Sequence, residues 1–219
     1  MASFIARTRR LSYAAHVGGF WKRVFDIVGA FSLIVFLFPL MLMIVAAIKL
    51  TDPGPIFFGH RRIGFGGRHF FCLKFRSMPT NAAELLQAHL RANPDASEEW
   101  RATQKLRNDP RVTPLGRILR ETSLDELPQL FNVLRGEMSL VGPRPIVDEE
   151  AIRYAHRFSA YKKTRPGLTG LWQVSGRSDA SYTARVKFDS LYVRSWSFLL
   201  DVGILLRTVG VVLKRQGSY

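Results

Sequence analysis

Residues Ile27–Ile48, IVGAFSLIVFLFPLMLMIVAAI, run for 22 positions without a charged side chain. As a straight α-helix the stretch would be about 33 Å long, close to the thickness of a hydrocarbon layer. A surface helix of a soluble protein keeps a polar face, and this stretch has none. It therefore reads as a membrane segment. A cleaved signal peptide competes: Val45-Ala46-Ala47 faintly resembles a cleavage site, but the run exceeds a typical h-region and the remainder of the chain does not look secreted.

The flanks add topology. Arg7, Arg9, Arg10, Lys22 and Arg23 lie before the run; Lys49, Arg61, Arg62, Arg68, Lys74 and Arg76 lie after it. Lys and Arg favour the cytoplasmic side, and here both flanks qualify. Pro39, near the middle, removes a backbone donor and disfavours a helical residue before it, so a kink is expected there. A helix bent at mid-depth with both ends cytoplasmic satisfies both basic clusters. An ordinary spanning helix with a tolerated proline fits the pattern equally well.

The whole chain has 219 residues, with 32 Lys and Arg against 17 Asp and Glu, for a formal charge of +15. Such an excess points to anionic partners: nucleic acid, anionic lipid or phosphorylated substrates. At 47% hydrophobic residues the chain is not globally disordered. Its single cysteine, Cys72, excludes an internal disulfide and reads as a buried, inert thiol.

The chain is expected to divide into a basic leader (1–20), a membrane helix (21–50) and a C-terminal unit (51–219). Thr51-Asp52-Pro53-Gly54-Pro55 closes the membrane element. Ile56–His60 and His69–Phe75 read as strands of a hairpin turning at Gly64-Phe65-Gly66-Gly67. From Asn81 to about Leu106 the pattern is helical, capped by Asn81 with Glu84 and broken at Asn93-Pro94-Asp95 into two helices. Arg117–Leu134 reads as one amphipathic helix ending at Gly136. Arg153–Tyr161 and Tyr182–Arg194 are further helices. Phe198–Leu213 is an apolar helix with Asp201, Arg207 and Lys214 at polar positions, expected either on a membrane surface or closing the core. The fold class expected is α+β, mainly helical with a small β-hairpin and interfacial amphipathic helices.

Three stretches concentrate chemistry. In Leu115–Leu134 the adjacent carboxylates Asp125 and Glu126 follow Ser123 in a Ser-x-x-Glu pattern and precede Pro128, which places them near a helix N-terminus, where anions are favoured. Plain capping explains the same residues. In Ser139-Leu140-Val141-Gly142-Pro143-Arg144-Pro145 the prolines stiffen the backbone around Arg144, a side chain suited to two-point binding of phosphate. A turn with a solvated arginine is the alternative. Arg165-Pro166-Gly167-Leu168-Thr169-Gly170-Leu171-Trp172-Gln173-Val174-Ser175-Gly176-Arg177 could wrap a base and a phosphate, or be a long structural loop. No serine-hydrolase, zinc-protease or P-loop pattern is present.

Taken in order, Lys74-Phe75-Arg76-Ser77-Met78, Ser123–Asn132, Val141–Pro145 and Arg165–Gly170 resemble the monotopic phosphoglycosyl transferases, bacterial sugar transferases of exopolysaccharide synthesis. The resemblance spans about Trp21 to Arg215. It implies that Asp125 attacks the sugar-bearing phosphate of a UDP-sugar, with Glu126 orienting a metal or handling a proton. The phospho-sugar then passes to undecaprenyl phosphate in the inner membrane, on its cytoplasmic face. It implies Mg²⁺ as cofactor, held by Asp125 and Glu126. Lys74, Arg76, Arg120 and Arg144 are the cations expected at the phosphates, and Arg165, Trp172, Gln173 and Arg177 at the nucleotide and sugar. It also implies the re-entrant helix, with Pro39 as its bend; relatives often carry Ser before that proline, and here it is Phe38. UDP-galactose or UDP-glucose is the expected donor, membrane lipid a partner, nucleic acid none, and a homodimer is left open. The rivals from other classes are a membrane-anchored nucleic-acid-binding module, which shows no recognition pattern here, and a membrane scaffold without turnover.

Overall fold

The computed structural model describes residues 17–103, 106–175 and 181–213. Helix α1 (Gly19–Thr51) is the apolar run extended at both ends, and it is continuous through Pro39. It is long and apolar enough to cross a membrane, and little of it is buried. Its exposed residues include Phe31, Val35, Phe36, Phe38 and Met43. Its buried residues fall in two groups. Ala30 joins a core with Leu130, Val133, Met138, Leu140, Tyr192 and Ile204. Met41, Ile44 and Ile48, on one helical face, pack with Phe75 and Leu119.

Both ends of α1 are also tied by polar contacts to the same body. Lys22 Nζ donates to Asp201 Oδ2 at 2.6 Å, with both side chains buried. The Arg23 guanidinium donates to the carbonyls of Val133 and Leu134 at 2.7 and 3.0 Å, capping a helix end. At the far end Asp52 pairs with Arg76 at 3.4 Å.

The hairpin forms as the glycine turn dictates: β1 (Phe57–Ile63) pairs antiparallel with β2 (His69–Phe75) around a 3₁₀ turn at Phe65–Gly67. Asn132 supplies what a next strand would: its Oδ1 accepts from Leu73 N at 3.0 Å and its Nδ2 donates to Phe71 O at 2.8 Å. Helices α2 (Ala82–Ala92) and α3 (Pro94–Thr103) come next, divided at Asn93. Asn81 occupies the cap position of α2, but its side chain makes no cap bond.

The expected single helix over Arg117–Leu134 is broken. It consists of α4 (Pro114–Glu121), a 3₁₀ turn at Leu124–Glu126 and α5 (Gln129–Arg135). The cause is Ser123, whose φ of 58° lies in the left-handed region, where a helix cannot continue. Ser123 makes no side-chain cap bond, so the Ser-x-x-Glu cap is not formed. Strand β3 (Ser139–Val141) then pairs in parallel with β4 (Gly167–Thr169), a pairing too short for periodicity to reveal. Between them lie α6 (Asp148–Tyr154) and α7 (Phe158–Tyr161); after them come α8 (Leu171–Ser175), α9 (Tyr182–Ser195) and α10 (Phe198–Leu213).

Helix α10 packs one face into the core and leaves apolar residues exposed on another. Asp201 and Ile204 are fully buried, while Leu199, Leu206 and Val209 are exposed. Asp201 is therefore not on a solvated face: besides Lys22 it accepts from Tyr192 Oη at 2.8 Å and Trp196 Nε1 at 3.1 Å. The α+β class is borne out as mixed helix with small sheets. The leader through residue 16 and Lys214 lie outside the described residues.

Candidate active site

The left-handed turn at Ser123 brings Asp125 and Glu126 to the end of β2. Lys74 Nζ donates to Asp125 Oδ2 at 3.1 Å and to Glu126 Oε1 at 2.8 Å, one ammonium bridging both carboxylates. Asp125 is 5% exposed. Burial pushes its carboxyl above the usual carboxylate range, Lys74 and Arg120 opposing and Glu126 adding to the rise. For Lys74, burial works to lower the ammonium, but Glu126 and Asp125 outweigh it and the result is a raised pKa. A buried carboxylate held beside fixed cations is, when ionised, suited to nucleophilic attack on a phosphate.

Arg120 is aimed from α4. Its Nε donates to Ser77 Oγ at 2.9 Å, and its charge is coupled to Asp125. Helix α4 approaches the strand end because residue 116 is glycine: a Cβ there would stand 2.0 Å from the Ser77 carbonyl oxygen. Thr113 caps the helix, accepting from Gly116 N at 2.9 Å. The Lys74-Phe75-Arg76-Ser77 motif thus fixes both a cation of its own and the helix bearing Arg120.

Arg144 arrives by a second route. Gly142 N donates to Thr169 O at 2.9 Å and Gly167 N to Pro143 O at 2.8 Å, and a Cβ at Gly167 would fall 2.1 Å from Gly142 N. Only glycines let the Val-Gly-Pro-Arg-Pro and Arg-Pro-Gly-Leu-Thr-Gly segments lie this close. The Arg144 guanidinium then rests 5.5 Å from the centroid of Trp172 at the start of α8, and its charge acts on Lys74. Gln173 Nε2 donates back to Leu168 O at 3.2 Å, fixing the loop.

Lys74, Arg120, Arg144, Asp125 and Glu126 therefore gather in one place, with Trp172 beside Arg144. Other expected residues are held elsewhere. Arg76 is committed to Asp52 at the end of α1. Arg165 donates from Nε to Gly136 O at 2.7 Å, capping α5, and lies 5.6 Å over Phe65. Arg177 falls outside the described residues. Three residues were not singled out from sequence: Asn132, which fixes β2 and so Lys74; Arg62, coupled to Arg144; and Arg185 on α9. Asn132 ends the Ser123–Asn132 motif; nothing marked the other two apart from charge.

No group of three or more His, Cys, Asp or Glu side chains is placed to hold a metal among the described residues. Asp125 and Glu126 nonetheless offer adjacent hard oxygens. That matches Mg²⁺, which takes one or two carboxylates and completes its shell with substrate phosphates and water.

A bridged carboxylate pair with Arg120 and Arg144 coupled to it, near one end of a long apolar helix, is suited to the transfer of phosphorylated groups. The chain belongs to the bacterial sugar transferase family, which it matches over residues 17–215, and it is a phosphoglycosyl transferase. It is 53% identical to the exopolysaccharide production protein ExoY of Rhizobium meliloti over 203 residues, 93% of this chain and 90% of that protein. It is 53% identical to the UDP-galactose-lipid carrier transferase of Erwinia amylovora over 206 residues, 94% of this chain but 43% of the relative. With the undecaprenyl-phosphate galactose phosphotransferase of Salmonella typhimurium it shares 51% over 200 residues, 91% of this chain and 42% of the relative. The chain thus spans less than half of those two longer proteins.

Proposed function

We propose that the protein transfers a hexose-1-phosphate from a UDP-sugar to undecaprenyl phosphate, releasing UMP, as the first step of an exopolysaccharide, capsule or O-antigen repeat. The observation that carries this is the single ammonium of Lys74 bridging Asp125 and Glu126, with Arg120 coupled to Asp125. Asp125 Oδ forms a bond to the sugar-bearing phosphorus as the bond from that phosphorus to the UMP oxygen breaks. A phosphate oxygen of the polyprenol phosphate then attacks the same phosphorus and Asp125 departs as carboxylate. Lys74 and Arg120 offset the charge gathering on the equatorial oxygens. Glu126 sits where it can orient the metal or the incoming phosphate. When bound, Mg²⁺ neutralises the diphosphate; Asp125 and Glu126 would hold it. The names of the relatives support galactose or glucose as the sugar.

The same reading puts the chain at the bacterial inner membrane with residues 51–219 on the cytoplasmic side. A re-entrant α1 is supported by its two ends being tied to one body, through Lys22 with Asp201 and through Asp52 with Arg76. A helix crossing the bilayer would carry these ends to opposite sides. The exposed Phe20, Trp21, Leu199, Leu206 and Val209 fit seating of α10 and the start of α1 on the bilayer surface. Incubation with a panel of UDP-sugars, Mg²⁺ and undecaprenyl phosphate tests the proposal. UMP release with UDP-galactose or UDP-glucose is expected; release with no sugar in the panel would overturn it.

A further inference from the structure

The basic surface continues beyond Arg144. Arg185 on α9 donates from Nη1 to Glu150 Oε1 at 3.2 Å. Its guanidinium lies 4.9 Å from the Tyr182 ring centroid and 5.5 Å from that of Trp172. Its Nε and Nη2, and the indole Nε1 of Trp172, are shielded from solvent and have no hydrogen-bond partner among the described residues. Buried donors are ordinarily satisfied, and a charged one left unpaired is costly. Nε and Nη2 form one side of the guanidinium, the edge that grips a phosphate with two parallel bonds. That whole edge is unused.

Building on the transfer reaction proposed above, we propose that Arg185, with Arg144 and the indole N–H of Trp172, anchors the phosphate of the departing nucleotide, while Lys74 and Arg120 serve the phosphate that Asp125 attacks. A diphosphate presents two charged groups, and the cations fall into two matching sets. Arg144 connects them: its charge acts on Lys74, and it shares the Trp172 ring with Arg185. Because two guanidinium groups lie over Trp172, that ring serves as a platform for arginines and not as the stacking partner of the base. The unused edge is closed to solvent in the ligand-free state, so binding involves side-chain rearrangement around Trp172. Arg62 and Arg185 share the carboxylate of Glu150, at 3.6 and 3.2 Å, which leaves the cluster net positive.

The test is isothermal titration of the full chain, in detergent or nanodiscs, with UMP and with uridine. Wild type is expected to prefer UMP. Arg185→Gln should weaken UMP binding by about tenfold or more, the scale of one lost charge-assisted contact, while leaving uridine binding unchanged. Arg185→Lys keeps the charge but loses the two-point edge, and should fall between. A merely structural Arg185 would lower the melting temperature without changing the ratio of UMP to uridine affinity. An unchanged ratio in folded Arg185→Gln overturns the proposal. If that variant does not fold, wild-type UMP affinity in Arg185→Lys does the same. Wild-type protein that neither binds UMP nor releases it from any UDP-sugar would instead overturn the transfer reaction on which this rests.

Discussion

Replacing Lys74 with Met keeps most of the side-chain stem and deletes the ammonium that bridges the two carboxylates. Exposed ion pairs contribute about 0–1 kcal/mol, and breaking a fully buried one costs about 3–5 kcal/mol. This pair lies between those limits, because Lys74 is 33% exposed while the Asp125 side chain is 7% exposed. The discounted loss is about 1.5–3 kcal/mol. The Asp125 pKa should shift upward: burial already raises this carboxyl, and the cation that opposes the rise has gone. Because the proposed attacking form is the ionised carboxylate, the acid limb of kcat/KM for UMP release should move to higher pH. The plateau should also fall, since Lys74 is proposed to offset charge on the transferring phosphate. Rate profiles from pH 5 to 9 in a constant-ionic-strength buffer measure both. A lowered plateau with an unmoved acid limb would refute the claim that Lys74 controls the ionisation of Asp125; wild-type rates throughout would remove it from the site.

Arg120→Ala should lower turnover about tenfold to a hundredfold, for a lost charge-assisted contact of about 1.5–3 kcal/mol, with little change in melting temperature; unchanged kinetics with a lower melting temperature would make it structural. Asp189 is buried against Tyr154, which donates to it at 2.6 Å, and burial raises its carboxyl to about 6. The folded state therefore holds this proton more tightly than the unfolded chain, so its contribution to stability should decline as pH rises from about 4 to 6, by about 3 kcal/mol in all. Asp189→Asn should flatten that part of the melting-temperature profile, and an identical slope would contradict the assignment. In a Cys72→Ala background, cysteines at positions 10 and 68 should both label only from the cytoplasmic side; outside labelling of position 10 would sink the re-entrant topology.

Much of the architecture was legible because it rests on local signals. A 22-residue stretch without charge forms a helix wherever it sits, glycines 64, 66 and 67 force the hairpin turn, and Pro94 divides α2 from α3. The break at Ser123 was hidden because the amphipathic period continues on both sides of it, and serine gives no warning of a left-handed φ. Asp201 was misjudged for a related reason: periodicity separates faces of a helix, but its partner Lys22 lies 179 positions away. Lys22 and Arg23 count in sequence as part of a basic flank, yet both are internal ties. The carboxylate pair and Lys74 were both visible as residue types in motifs; that one ammonium bridges both carboxylates was not. Arg76 and Arg165 show the converse. A guanidinium that caps a carbonyl has the same composition and turn context as one that holds a phosphate, and only the fold separates the two.

The most direct test of the account is trapping the covalent intermediate. Wild-type protein given UDP-sugar labelled in the sugar, with Mg²⁺ and without undecaprenyl phosphate, should release UMP and keep the label on protein. The linkage should be labile to hydroxylamine, as an acyl phosphate is, and the label should map to the peptide holding Asp125. Addition of undecaprenyl phosphate should then discharge it, and Asp125→Asn, which lacks the anionic oxygen, should acquire none. Label on another residue, or UMP release only when both substrates are present and with no label ever trapped, would contradict the account and leave direct transfer in a ternary complex as the mechanism.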